Sequence, residues 1–113
     1  MSYPVNLYQN YHAHIYFDQQ SQDLAYEIRR VAEQEKQLIV GNFNQKLVGP
    51  HLSWSFSIDF SHLEFEQVVA WLDVVRQELS VLVHAVTGDD LKDHTEFAYW
   101  LGKPVPLNTA IFE

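Results

Sequence analysis

Two stretches of this chain alternate so regularly that they leave little choice of local structure. In YHAHIYF, residues 11–17, Tyr11, Ala13, Ile15 and Phe17 fall in one set and His12, His14 and Tyr16 in the other. In SWSFSIDF, residues 53–60, Trp54, Phe56, Ile58 and Phe60 form an apolar set, and Ser53, Ser55, Ser57 and Asp59 a small polar one. A period of two belongs to a β-strand, whose successive side chains point to opposite faces. A helix would scatter both sets around its circumference. The chain is therefore expected to build a sheet with one apolar face against a core and one polar face.

The remaining segments supply the layer that covers the apolar face. Ser21 is a candidate N-cap for a helix to about Lys36, with Leu24, Ile28, Val31 and Ala32 at helical spacing. A second helix is expected from about Glu64 to Glu78, with Phe65, Val68, Val69, Leu72 and Val75 inward. Leu38–Phe43 reads as a short strand weakened by Gly41, and 80–86 as a fourth strand whose nearly continuous apolar run obscures its sidedness. Gly49-Pro50 and Thr87-Gly88-Asp89-Asp90 mark turns. Asp89 or Asp90 can cap a helix to Leu101, stopped by Gly102, with Pro104 and Pro106 keeping the tail extended.

The resulting order, β-α-β-β-α-β plus a helix, predicts an α+β chain. The expected fold is a ferredoxin-like βαββαβ sandwich with an additional C-terminal helix. At 113 residues it is read as one domain spanning 1–113. Right-handed crossovers would put both long helices on one sheet face and the first and third strands at the centre.

Charge narrows the function. Fifteen acidic residues against seven basic give a formal −8, so the basic stripe that a nucleic-acid binder needs is missing. No apolar run approaches the length of a membrane span. MSYPVNLYQNYHAH lacks the basic-then-apolar pattern of a secretory signal, so the chain reads as a cytoplasmic domain. There are six histidines and no cysteine. Any metal would thus be held by nitrogen and oxygen ligands, not thiolates.

Strand parity gathers four of those histidines. His12 and His14 lie opposite the apolar set of the first strand. Extending the polar set of the third strand backwards places His51 on the same side. On the fourth strand, assigning Val81 and Val83 to the helix side leaves His84 on the open one. With the first strand between the third and fourth and antiparallel to both, His51 falls near His14, and His84 opposite His12 or His14. Spacings of about 6.6–6.8 Å along a strand and about 4.8 Å between strands let imidazoles converge on one ion. Asp59 shares the serine face and is the candidate ligand if the site is two histidines and one carboxylate. Tyr16 and Trp100 are candidates for aromatic walls or hydroxyl contacts. His94 is either a core-edge residue or a group leaning over the site; His62, just before a helix, is set aside as a cap or a solvent-facing residue.

Neutral imidazoles suit iron, copper, zinc or nickel. Three facial ligands leave positions open for a substrate binding through two oxygens and for O₂. The bland alternative is a non-catalytic, dimeric binding module that uses the same sheet face to pair or to hold a small aromatic ligand or metal.

YHAHIYF at 11–17, VGPH at 48–51 and VLVHAVTGDDLKDHTEFAYWLG at 81–102 together resemble the DOPA 4,5-dioxygenase family, in the same order and over nearly the whole chain. The resemblance implies extradiol, ring-opening cleavage by O₂ of a catechol such as L-DOPA. It maps the family's histidine motifs onto His12, His14, His51 and His84, and an Asp-His motif onto Asp93 and His94. On this reading His14, His51 and His84 hold Fe(II), with Zn(II) an occupant to expect in purified protein. His12 and His94 are the candidate acid–base residues, and a homodimer is the expected assembly.

Overall fold

A computed structural model describes residues 3–112. The chain forms an α+β fold of five antiparallel strands and three helices. β1 spans Asn10–Phe17, α1 Gln22–Gln34, β2 Ile39–Val40, β3 Trp54–Ser61, α2 Phe65–Val75, β4 Val81–Ala85, α3 Asp90–Asp93 and β5 Ala98–Leu101; a 3₁₀ turn at Thr109–Phe112 follows. The strands lie in the order β2-β3-β1-β4-β5. β1 is therefore central and flanked by β3 and β4, as the sequence led one to expect.

Alternation became burial. Tyr11, Ala13, Ile15 and Phe17 of β1, Phe56, Ile58 and Phe60 of β3, and Val81, Val83 and Ala85 of β4 share one core with Ala25, Ile28 and Ala32 of α1 and Phe65, Val68, Val69 and Leu72 of α2. Both long helices thus cover the same sheet face, and the β4 sidedness that the apolar run left open is settled: Val81 and Val83 face the helices. Removing these side chains from water is the main drive for closing the helix layer over the sheet.

Ser21 does precede α1, but its side chain makes no capping bond to the helix. Its hydroxyl instead accepts from the Asp18 amide and donates to the Asp18 carboxylate.

Two expectations are corrected. The strand expected at Leu38–Phe43 shrinks to Ile39–Val40, paired with Asp59 and Ile58. The Gly41 amide still bonds to the Ser57 carbonyl (2.8 Å), and the next bridge joins Asn44 to Ser55, one residue out of step. This extra residue is a bulge. It accompanies Phe43 packing on Phe17, ring centres 4.3 Å apart, and the Arg29 guanidinium takes the Gly41 carbonyl (2.9 Å).

The larger correction concerns the helix expected from Asp89 to Leu101. It is one turn, Asp90–Asp93, capped by the Asp89 side chain accepting from the Lys92 amide. Beyond it the chain reverses, and Ala98–Leu101 pairs antiparallel with β4, from Val81↔Leu101 to His84↔Ala98. Leu91, His94, Ala98 and Leu101 mimic helical spacing. However, Phe97, Tyr99 and Trp100 favour a strand, and β4, buried along its whole length, needs a second neighbour for its peptide groups.

Gly102 ends β5 rather than a helix. It sits at φ +79°, and an added Cβ would lie 2.5 Å from the Arg76 guanidinium and 3.2 Å from the Leu79 carbonyl. Gly102→Ala should therefore destabilise the fold by about 1–3 kcal/mol. Urea unfolding is the check, with Gly88→Ala, which has a positive φ but open space around it, separating backbone strain from the clash.

Candidate metal centre

The polar face of the sheet is where the histidines meet. β1 and β4 pair so that His12 lies directly opposite His84, and β1 and β3 so that His12 also lies opposite Asp59. His14 follows two residues along, opposite Ser57 and Leu82. His14 and His84 stack nearly parallel, 5.0 Å between centres at 14°, with their Nε2 atoms 2.9 Å apart.

His51 arrives from the β2–β3 loop. Gly49 at φ +55° turns the chain, and the His51 amide closes the turn on the Val48 carbonyl. Its ring comes to 4.1 Å from that of His14. His94 closes the set from the end of α3, 4.1 Å from the His84 ring and 6.2 Å from both His14 and His51. It is the leaning group, not a core-edge residue. His62 is exposed and lies outside the cluster.

The face is not open as a bare sheet would be. The Pro50 carbonyl accepts from the Asn108 amide (2.8 Å), and His51 bridges to Leu107. The C-terminal segment thereby lies across the histidines, with the Phe112 ring stacked on His94 at 4.9 Å. What remains is a cavity of about 310 Å³ lined by all five histidines, Ile111 and Phe112 among others. A second cavity of about 250 Å³ lies on the other side of His14 and His51, floored by Ser55 and Ser57.

Hydrogen bonds decide which ring nitrogens are available. A carbonyl oxygen only accepts, so His84 donates its Nδ1–H to the Ala85 carbonyl (2.7 Å) and His94 its Nδ1–H to the Asp90 carbonyl (2.8 Å). With Nδ1 engaged in this way, Nε2 is the ring nitrogen that each has left for the cavity. His51 Nδ1 lies 2.6 Å from the Tyr16 hydroxyl; in the tautomer whose Nδ1–H donates to the phenol oxygen, Nε2 again keeps its lone pair. Outward nitrogens tied to protein groups and inward ones free is the arrangement that fixes metal-ligating imidazoles. His12 differs, because its Nε2 pairs with Asp59 Oδ1 at 3.2 Å.

Electrostatics keep the buried rings neutral. His14 is held well below the ordinary imidazole value by burial first, then by its neighbours His51, His84, His12 and His94. Burial brings His51 down to about 4, helped by His94. It brings His84 down to about 3 against the opposing hydrogen bond to Ala85. Burial raises the Tyr16 phenol, which stays protonated.

Two groups of three bring one ligand atom each within 4.8 Å of one another: His12, His14 and His84; and His14, His51 and His94. His14 belongs to both. The sequence-expected trio His14, His51 and His84 draws two members from each group and shares the cavity. Asp59 belongs to neither group. A nitrogen-only, uncharged donor set of this kind fits a first-row divalent metal.

The structure gives several supporting residues their partners. Tyr16, expected as an aromatic wall or a hydroxyl contact, makes the hydroxyl contact: it is the outer partner of His51, backed by Trp100 at 5.8 Å. The buried Asp93 carboxylate accepts from the Thr87 amide (2.9 Å) and hydroxyl (2.6 Å), closing the turn that presents His94. The Thr87–Asp93 spacing across Gly88 was the available signal. Phe112 carried no signal beyond being aromatic.

The chain matches the Dopa 4,5-dioxygenase family over residues 11–111. A DOPA 4,5-dioxygenase of Amanita muscaria is 34% identical over 109 residues, covering 88% of this chain and 48% of that protein. An uncharacterised 21.2 kDa protein of Botryotinia fuckeliana is 30% identical over 110 residues, covering 87% of this chain and 60% of that one. The chain thus spans only about half to three fifths of the length of these two relatives. Among solved structures, a candidate dioxygenase from Nostoc punctiforme superposes with a TM-score of 0.87 at 35% identity, over 91% of this chain and 90% of the other. The chain belongs to the Dopa 4,5-dioxygenase family.

Proposed function

We propose that the chain is a metal-dependent extradiol dioxygenase that opens the ring of a catechol such as L-DOPA with O₂, on a ferredoxin-like sheet extended by β5. The observation that carries this reading is the convergence of His51, His84 and His94, each with its Nδ1 held by a protein group and its Nε2 left over, around the buried His14 ring. Family membership and the named Amanita relative supply the reaction class.

His14, stacked between His84 and His51, is the central ligand. His51 and His84 complete the set in this proposal, and His94, with the same Nδ1-to-carbonyl anchor, stands beside them as a further ligand or as an acid–base group. His12, tied outward through Nε2, is the acid–base candidate. A bound divalent ion, iron(II) in this reading, supplies Lewis acidity toward the two catechol oxygens and an electron path to O₂.

The chain's own contributions are positional. The small Ser55 and Ser57 side chains leave the floor beside His14 and His51 low. Phe112 and Ile111 roof the cavity and restrict water. A neutral imidazole next to the reacting oxygens can take a catechol proton and return it.

Metal analysis after anaerobic loading should show close to one iron per chain, lost in His14→Ala, with a yellow ring-opened product from L-DOPA or another catechol. His51→Ala, His84→Ala and His94→Ala sort the ligands, because a ligand variant loses metal whereas an acid–base variant keeps it and loses turnover. An iron-loaded protein that opens no catechol overturns the proposal. Loss of a dimer in the histidine variants, with no metal bound to the wild type, would instead identify a binding module.

The pH dependence has a definite sign. His51 and His84 have folded values near 4 and 3 against an ordinary 6.5, so between these limits the unfolded chain takes up protons that the folded one refuses. Stability of the metal-free protein should therefore be full above about pH 6.5 and fall as pH drops toward 4, by on the order of a few kcal/mol. Chemical denaturation across pH 4–8 measures this. Stability that rises on acidification would contradict neutral buried rings.

A further inference from the structure

Asp59 is the one charged residue in the SWSFSIDF strand, set among serines, and the site as described makes no use of it as a ligand. Its place is nonetheless specific. The register puts Asp59 of β3, His12 of β1 and His84 of β4 in one row across three strands. Its carboxylate meets His12 Nε2 at 3.2 Å. Nothing nearby competes for it: Asp59's other cross-strand neighbour is Ile39. The cleft of about 400 Å³ beside it is lined by Asn10, Ser61 and Glu64 among others, with no lysine or arginine.

We propose that Asp59 is the positioning residue of His12. A neutral imidazole has two tautomers and two ring orientations. A carboxylate only accepts, so the pair selects the tautomer with hydrogen on Nε2 and holds that nitrogen outward. The unprotonated Nδ1 is then the lone pair His12 has to offer, on a ring whose centre lies 5.9 Å from that of His14 and 5.4 Å from that of His84. His12 also stands between two spaces, lining both the histidine cavity and the outer cleft. A free ring there could turn toward either. His84 and His94 are anchored by neutral carbonyls and His51 by a phenol, whereas the partner of His12 is a carboxylate. The inference rests on the proposed function only for its effect on turnover; the selection of a tautomer stands without it.

Both partners are well exposed, with side chains 36% and 44% accessible, so the pair contributes little to stability. Its removal can therefore be read without unfolding the protein. Nitrogen-15 NMR of the imidazoles in chelator-treated protein should show His12 protonated at Nε2 in the wild type. In Asp59→Ala His12 should become a mixture of both tautomers, and in Asp59→Glu, which keeps an acceptor-only carboxylate, the Nε2–H form should return. With iron loaded, Asp59→Ala should lower kcat by about 10–100-fold, leaving KM for the catechol and metal stoichiometry unchanged; Asp59→Glu should recover part of it. A single Nε2–H tautomer persisting in Asp59→Ala overturns the proposal, as does an equal loss of kcat in the alanine and glutamate variants. If the wild type opens no catechol, the proposed function fails while the tautomer measurement still decides the role of Asp59.

Discussion

Everything at the site hangs on the antiparallel register of β1 with its two neighbours. Side chains alternate across a sheet, so a slip of one residue would exchange the histidines for Tyr11, Ala13 and Ile15. The slip is blocked from below: those three side chains are buried with Ile58, Phe56 and Val83 under α1 and α2. Core packing on one face thereby sets the chemistry on the other, through the backbone alone. His12 faces His84 because Ala13 must face Val83.

Gathering imidazoles in a protein interior has a cost, which the structure meets with hydrogen bonds. Each buried ring gives up hydration, and a charge on any one would repel the rest, so the rings stay neutral. Among the described residues no buried side-chain nitrogen or oxygen is left without a partner. Backbone carbonyls of Ala85 and Asp90, and the Tyr16 hydroxyl, hold the outer nitrogens. The closest inner contact, between His14 and His84 Nε2 atoms, uses one hydrogen where a metal ion would accept two lone pairs. The same partners that make the metal-free cluster tolerable also orient it toward a metal.

Much of this was legible in the sequence, for reasons that are physical. The alternating runs at 11–17 and 53–60 had one consistent reading, and the assignment of Val81 and Val83 to the helix side placed His84 on the polar face. The limits are as instructive. Residues 89–101 carry apolar groups at both helical and strand intervals, and only the demand of β4 for a neighbour selects the strand. Gly41 marked β2 as weak but not as the start of a bulge. The tie between Tyr16 and His51, and the stacking of Phe112 on His94, join residues far apart in the chain. No local pattern announces such contacts, whereas the histidine parity needed only the strands themselves.

The roof has a consequence for how the cavity comes into being. Its two halves are the turn at Pro50–His51 and the segment at Leu107–Asn108, tied by one backbone hydrogen bond and one bridge. The sheet and its helix layer can close without either tie, since neither half belongs to the core. With these two backbone ties the roof adds little to a core that closes without it. The histidines can therefore be assembled on a folded sheet while still uncovered, until the segment at Leu107–Phe112 is laid across them. An ion reaching the cluster in that interval would not have to pass Ile111 and Phe112.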